Sequence, residues 1–199
     1  LRLIMLAPTL VATAFAHGLE RSIAPFTSEA GGRGLVFAMD GYPTSTDFHG
    51  SGCGFADLDG DDDADVILLG GVGDAVGIFA NLGDGEFTDR SYACGIPPLS
   101  GLSGFATADF DGDGLVDIVI SRVLGPTKLY RNLGGFQFID ATTAAGITTE
   151  RITKGVACGD FDGDGWVDIY LCNFIATPAD PEAGRNQLYR NLGDGTFEE

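Results

Sequence analysis

The chain has 199 residues and a formal charge of −18, from 29 acidic against 11 basic side chains. So acidic a surface excludes a nucleic-acid partner, which needs a basic footprint, and even three bound Ca²⁺ would leave it at about −12. A hydrophobic content of 44% with 14 Phe excludes disorder and leaves enough chain to bury a core.

Leu3 to Ala16 (LIMLAPTLVATAFA) is apolar, follows Arg2 and ends Ala14-Phe15-Ala16. That is the pattern of a secretory leader with its small-residue cleavage site, so residues 1–16 are expected to be signal-peptide-like. The stretch is too short, and broken by Pro8, for a membrane span, and a truncated edge strand or buried segment is the structural alternative. Residues 17–35 read as a linker and one short strand, because Phe26 to Leu35 aligns without gaps on Phe87 to Ile96 and on Phe138 to Ile147. Val36 to Ser51 then forms a long connection rich in Pro, Gly and short polar residues, a surface loop that carries Tyr42, Asp47, Phe48 and His49.

Next comes the first of three acidic loops: Asp57-Leu58-Asp59-Gly60-Asp61-Asp62-Asp63-Ala64-Asp65. Its closer copies are Asp109-Phe110-Asp111-Gly112-Asp113-Gly114-Leu115-Val116-Asp117 and Asp160-Phe161-Asp162-Gly163-Asp164-Gly165-Trp166-Val167-Asp168. Aspartates at positions 1, 3, 5 and 9 of nine repel one another unless a hard cation lies between them. Ca²⁺ takes six to eight oxygens at about 2.3–2.6 Å, and alternating Asp on a tight Gly turn supplies them. A single solvated Asp/Gly turn would be the plain alternative; three copies in register argue against it.

An EF-hand also begins D-x-D-x-D-G, but it needs a bidentate Glu at position 12 and flanking helices. Position 12 here is Leu68, Ile120 or Leu171, inside short runs such as Val66-Ile67-Leu68-Leu69 that suit strands. The loops therefore connect strands, with Asp at position 9 standing in for the missing ligand.

After each loop comes a hairpin signature: Ile78-Phe79-Ala80-Asn81-Leu82-Gly83-Asp84-Gly85, Leu129-Tyr130-Arg131-Asn132-Leu133-Gly134-Gly135-Phe136, and Leu188-Tyr189-Arg190-Asn191-Leu192-Gly193-Asp194-Gly195. The recurring Asn81, Asn132 and Asn191 are expected to cap the turn with their side chains. Loop and hairpin together repeat about every 51 residues. One unit reads as four short strands: Gly104 to Ala108, Ile118 to Arg122, Thr127 to Arg131 and Phe136 to Ala141. Four antiparallel strands in this length make one propeller blade, so the expected fold is all-β, with blades at about 51–96, 102–147 and 153–199. Three blades and an N-terminal strand suited to ring closure suggest an incomplete propeller, the N-terminal part of a longer one. Ile175 to Gly184 breaks the period as a second surface loop.

Cys53, Cys94, Cys158 and Cys172 contain no C-x-x-C, so zinc and thioredoxin-like chemistry are not expected. Cys158 and Cys172 flank one loop on adjacent strands, where a bridge and two free thiols are both open readings.

With its loops and its Asn-Leu-Gly-Asp-Gly-Thr-Phe turn, the sequence resembles the FG-GAP/VCBS repeat family of integrin α-subunit propellers and secreted bacterial proteins. Phe26 to Leu35 and Asn186 to Asn191 resemble most the secreted acidic subgroup that includes cartilage acidic protein and ASPIC/UnbV-type proteins. The resemblance implies Ca²⁺ bound by side chains at positions 1, 3, 5 and 9 and by the backbone carbonyl at position 7. Those positions are Asp57, Asp59, Asp61, Asp63 and Asp65; Asp109, Asp111, Asp113, Leu115 and Asp117; and Asp160, Asp162, Asp164, Trp166 and Asp168. The first loop departs from the pattern in having Asp62 where Gly114 and Gly165 permit a left-handed turn, so it is expected to bind most weakly.

The function expected from this is a secreted, extracellular (or periplasmic or cell-surface) module that binds a protein or glycan, with structural calcium and no catalytic residues. A carbohydrate-active enzyme of lyase or dehydratase type is the alternative. It would need a base outside the loops, and only His17 and His49 (the latter near Tyr42 and Asp47) are available. A purely structural stalk is the third reading.

Overall fold

The computed structural model describes residues 28–37, 52–71, 74–174 and 181–199. The expected leader, His17, the Tyr42–His49 group and most of the two surface loops lie outside them. Among the described residues there are three four-stranded antiparallel sheets, each a meander in sequence order. The first is built from β1 (Cys53–Ala56), β2 (Asp65–Gly71), β3 (Ala75–Asn81) and β4 (Phe87–Asp89). β5 (Leu102–Ala108), β6 (Asp117–Arg122), β7 (Lys128–Asn132) and β8 (Phe138–Asp140) form the second. β9 (Thr153–Gly159), β10 (Asp168–Asn173), β11 (Gln187–Asn191) and β12 (Phe197–Glu198) form the third. No described helix is long and apolar enough to cross a membrane.

The second strand of each sheet shows why the sheets stack. In β6 every residue from Asp117 to Ser121 is buried, so both faces are covered, and the run Ile118-Val119-Ile120 is apolar without alternation. One face of β6, with Ile118 and Ile120, meets Ile67, Leu69 and Ile78 of the first sheet. The other face carries Val119 and joins Phe110 and Leu129 against Ile169, Leu171 and Tyr189 of the third sheet. Each sheet thus has a leading face for the sheet before it and a trailing face for the sheet after.

Backbone seals the same seams. Past their fourth strands, the first and second units turn through a glycine that abuts the next sheet. Phe138 N–H donates to the Cys94 carbonyl at 2.8 Å, and Phe197 N–H to the Ala145 carbonyl at 2.9 Å. Gly95 follows at φ 84°, and a Cβ there would lie 2.4 Å from the Phe138 carbonyl oxygen, so only glycine fits. Gly34 makes the same approach to Phe87, and Phe37 stacks edge-on against Phe79 with centroids 6.1 Å apart. Residues 30–37 therefore lie on the first sheet as the exits of the first and second sheets lie on their successors.

One reading from sequence needs correction, and one that sequence left open is decided. The fourth strand of the second unit begins at Phe138, not Phe136, because Phe136 sits in the hairpin turn at φ 62°. A bulky residue rarely adopts that conformation, and burial in the first seam offsets its cost. The cysteines are all free. Cys158 stands opposite Ile169 rather than Cys172, which stands opposite Gly155, so the cross-strand bridge left open by sequence does not form.

Candidate metal centres

Each acidic loop joins the first two strands of its sheet, and its first aspartate builds the turn. Asp57 accepts the N–H groups of Gly60 at 2.7 Å and Asp62 at 3.0 Å. Asp109 does the same for Gly112 and Gly114, and Asp160 for Gly163 and Gly165. The position that receives the second bond is left-handed in every loop: φ is 70° at Asp62, 87° at Gly114 and 96° at Gly165. Asp62 therefore adopts the glycine conformation expected of it, at some steric cost.

Position 9 does different work. Asp65, Asp117 and Asp168 are buried, and each carboxylate ties its loop to the third strand of the same sheet. Asp117 accepts Phe110 N–H at 3.2 Å and Asn132 N–H at 2.8 Å. Asp168 accepts Phe161 N–H at 2.9 Å and Asn191 N–H at 2.8 Å, and Asp65 holds Leu58 N–H and Asn81 N–H alike. Burial nevertheless outweighs these bonds at Asp117, whose pKa rises from the ordinary value to about 6. Burial likewise raises that of Asp65, and burial with the nearby charges of Asp61 and Asp57 raises that of Asp59.

Three oxygen-bearing triads result. Asp57, Asp59 and Asp61 come together in the first loop; Asp109, Asp111 and Asp117 in the second; Asp160, Asp162 and Asp168 in the third. Within each, one oxygen per residue lies within 4.8 Å of the others. Asp113 and Asp164 stand outside the triads, each accepting the N–H of position 7, from Leu115 at 2.8 Å and Trp166 at 2.9 Å. Asp63 makes the matching bond to Asp61 at 2.9 Å. Acidic oxygens without nitrogen or sulfur donors fit a hard cation such as Ca²⁺, and pKa values raised by burial and like charge show how unfavourable the bare carboxylates are at Asp59 and Asp117.

The hairpin asparagines do more than the expected capping. Asn132 Oδ1 accepts Gly134 N–H at 2.9 Å, the turn cap. Its amide then donates to the Val116 carbonyl at 3.0 Å and, across the seam, to the Leu58 carbonyl of the preceding loop at 2.8 Å. Asn191 repeats the set with Gly193, Val167 and, across the second seam, Phe110 at 2.9 Å. These staples connect the first and second loops to the sheet that follows each. Exact recurrence of Asn beside a repeating loop was the available signal, but a single unit does not reveal the cross-seam acceptor.

Arg131 is the other residue that spacing did not mark. Its guanidinium pairs with Asp111 and lies 3.7 Å from Asp117, so it enters the second loop's triad.

A family model described as FG-GAP-like repeat matches residues 57–120 and again 113–171. Cartilage acidic protein 1 of Mus musculus is 32% identical over 126 residues, covering 61% of this chain and 19% of that protein. Cartilage acidic protein 1 of Homo sapiens is 31% identical over 87 residues, 43% of this chain and 13% of that protein. The chain thus spans less than a fifth of the length of these relatives. The two family matches together run from the first acidic loop into the strand leaving the third, well over half the chain, and place the protein among the FG-GAP-like repeat proteins.

Proposed function

We propose that the protein is a secreted calcium-binding module, in which each acidic loop takes one Ca²⁺ and the stacked sheets present a surface to a protein or glycan. The observation that carries this reading is the threefold recurrence of an oxygen-only carboxylate triad at the same corner of each sheet. A bound Ca²⁺ would neutralise the triad and cross-link the loop. The chain's own residues do the rest. Asp57, Asp109 and Asp160 pre-shape the turns, Asp65, Asp117 and Asp168 anchor them to the sheets, and Asn132 and Asn191 carry the ordering across the seams. The role of the ion is structural: three separate triads, at positions 1, 3 and 5 of the first loop and 1, 3 and 9 of the other two, are poorly suited to one catalytic centre. Supporting the extracellular assignment, the relatives' name places them in cartilage and calls them acidic, and this chain carries 29 acidic residues. The enzyme alternative stands on His49, Tyr42 and Asp47, and turnover on a glycan panel would favour it.

The test is calorimetric titration of the chain with Ca²⁺, with melting followed in parallel. Saturable binding and a Tm that falls in chelator are expected. Binding of no Ca²⁺, or a Tm indifferent to chelator, would sink the reading. Ligand gain stabilises by mass action, so Asp160→Ala should lower Tm in millimolar Ca²⁺ and matter less in chelator.

A further inference from the structure

We propose that the second loop carries its own counter-cation, Arg131, and that the strand partner facing this arginine position sets how tightly the loops take a divalent ion. The inference rests on the calcium reading above. The residue before the hairpin asparagine is Ala80 in the first unit, Arg131 in the second and Arg190 in the third. Arg131 turns inward. Its side chain is 12% exposed, Nη1 pairs with Asp111, Nε lies 3.7 Å from Asp117 Oδ2, and Nη2 donates to the Gly195 carbonyl at 2.6 Å. Its buried Nε has no hydrogen-bond partner. Asp111 and Asp117 are two of that loop's three clustered carboxylates.

Arg190 turns outward instead. Its Nε and Nη2 reach Glu198 at 3.1 and 2.7 Å, and Nη1 stays 3.7 Å from Asp162, with 44% of the side chain exposed. Strand register explains the difference. Arg190 stands opposite Glu198, whereas Arg131 stands opposite Ile139, which cannot hold a guanidinium. The carboxylate on that edge strand, Asp140, is held by Lys128 at 2.7 Å, and Arg131 takes those of the loop. The first unit has no arginine at this position. A divalent ion entering the second loop must displace or share Asp111, already paired with a guanidinium, and meets the same positive charge 3.7 Å from Asp117. Among the described residues it meets no such competitor in the first loop and a distracted one in the third. The second loop, rather than the Asp62-bearing first, is then the weakest site and the one least dependent on calcium.

The test uses the full chain and Tb³⁺ or Ca²⁺ as the probe. Trp166 is the sole tryptophan, and its ring lies between Gly112 of the second loop and Gly193, so it can sensitise Tb³⁺ there. In a background of Asp57→Asn and Asp160→Asn, Arg131→Met should tighten binding at the second loop by about fivefold. Arg131→Met also loses the bond to Gly195, so a second variant leaves the arginine in place. Ile139→Glu, on a 54% exposed residue, should draw the guanidinium away and tighten the second loop several-fold. Conversely, Glu198→Ile should weaken the third loop in an Asp57→Asn, Asp109→Asn background. If the first and third loops bind while Arg131→Met and Ile139→Glu change the second less than twofold, the proposal falls and the calcium reading stands. If the wild-type chain binds neither ion, both fall.

Discussion

Phe110 and Phe161 hold the same place in consecutive loops, yet Phe110 is fully buried and Phe161 is 55% exposed. The same contrast runs down the two trailing faces: Val119 and Leu129 are buried, while their counterparts Tyr170 and Leu188 are 40% and 36% exposed. Local backbone is alike, and Phe110 and Phe161, like Leu129 and Leu188, share residue type, so the difference lies in the neighbour: the third sheet covers one face, and no described residue covers the other as completely. Stability in such a stack is a sum of unit and seam terms, and the seam term depends on what sits next door. An apolar trailing face left in water is a surface built for association.

The sharpest way to break the comparison is to truncate both aromatic side chains. Phe110→Ala should cost about 3–5 kcal/mol in a urea melt, because it leaves a cavity between two sheets. Phe161→Ala should cost under ~1 kcal/mol. Equal losses would show that the two faces are covered alike in solution. Next in size are the staples. Asn132→Ala removes the cap and leaves the buried Leu58 carbonyl short of a donor, worth about 1–3 kcal/mol. Asn81→Ala removes the cap at Gly83 and the bond to Ala64, the two side-chain contacts described for it, and should cost about half as much.

The smallest effect concerns pH. Asp117, on the covered side of the comparison, has its pKa pushed by burial from 3.8 to about 6. A folded-state value above the unfolded one means the native chain binds the proton more tightly. The stability this gives is full below the ordinary carboxylate value and is lost as pH rises through about 6. In chelator, the Tm should therefore carry a decline across that window. Asp117→Asn should flatten it while lowering the whole curve, since one amide hydrogen must face a backbone N–H. A decline unchanged in the variant would show that Asp117 is not its source.

Much of this was legible in the sequence because the repeat writes the same physics three times. Asp at positions 1, 3, 5 and 9 with a left-handed residue at 6 specifies a tight turn lined by carboxylates, and the short β-branched or aromatic runs that follow specify strands. Those are local constraints, set by backbone sterics and by charges a few residues apart, so the blades, the loops and the turn-capping role of Asn132 could be read directly. What the tertiary structure alone decided concerns partners far apart in the chain. Burial of Asp117 and exposure of Phe161 depend on which sheet lies alongside. The reach of Asn132 to Leu58 spans 74 residues. Whether an arginine falls into its own loop or away from it depends on the strand opposite, Ile139 in one sheet and Glu198 in another. Local pattern fixes which groups are available; the long-range packing of one unit on the next sets their solvation and their charged neighbours, and so their chemistry.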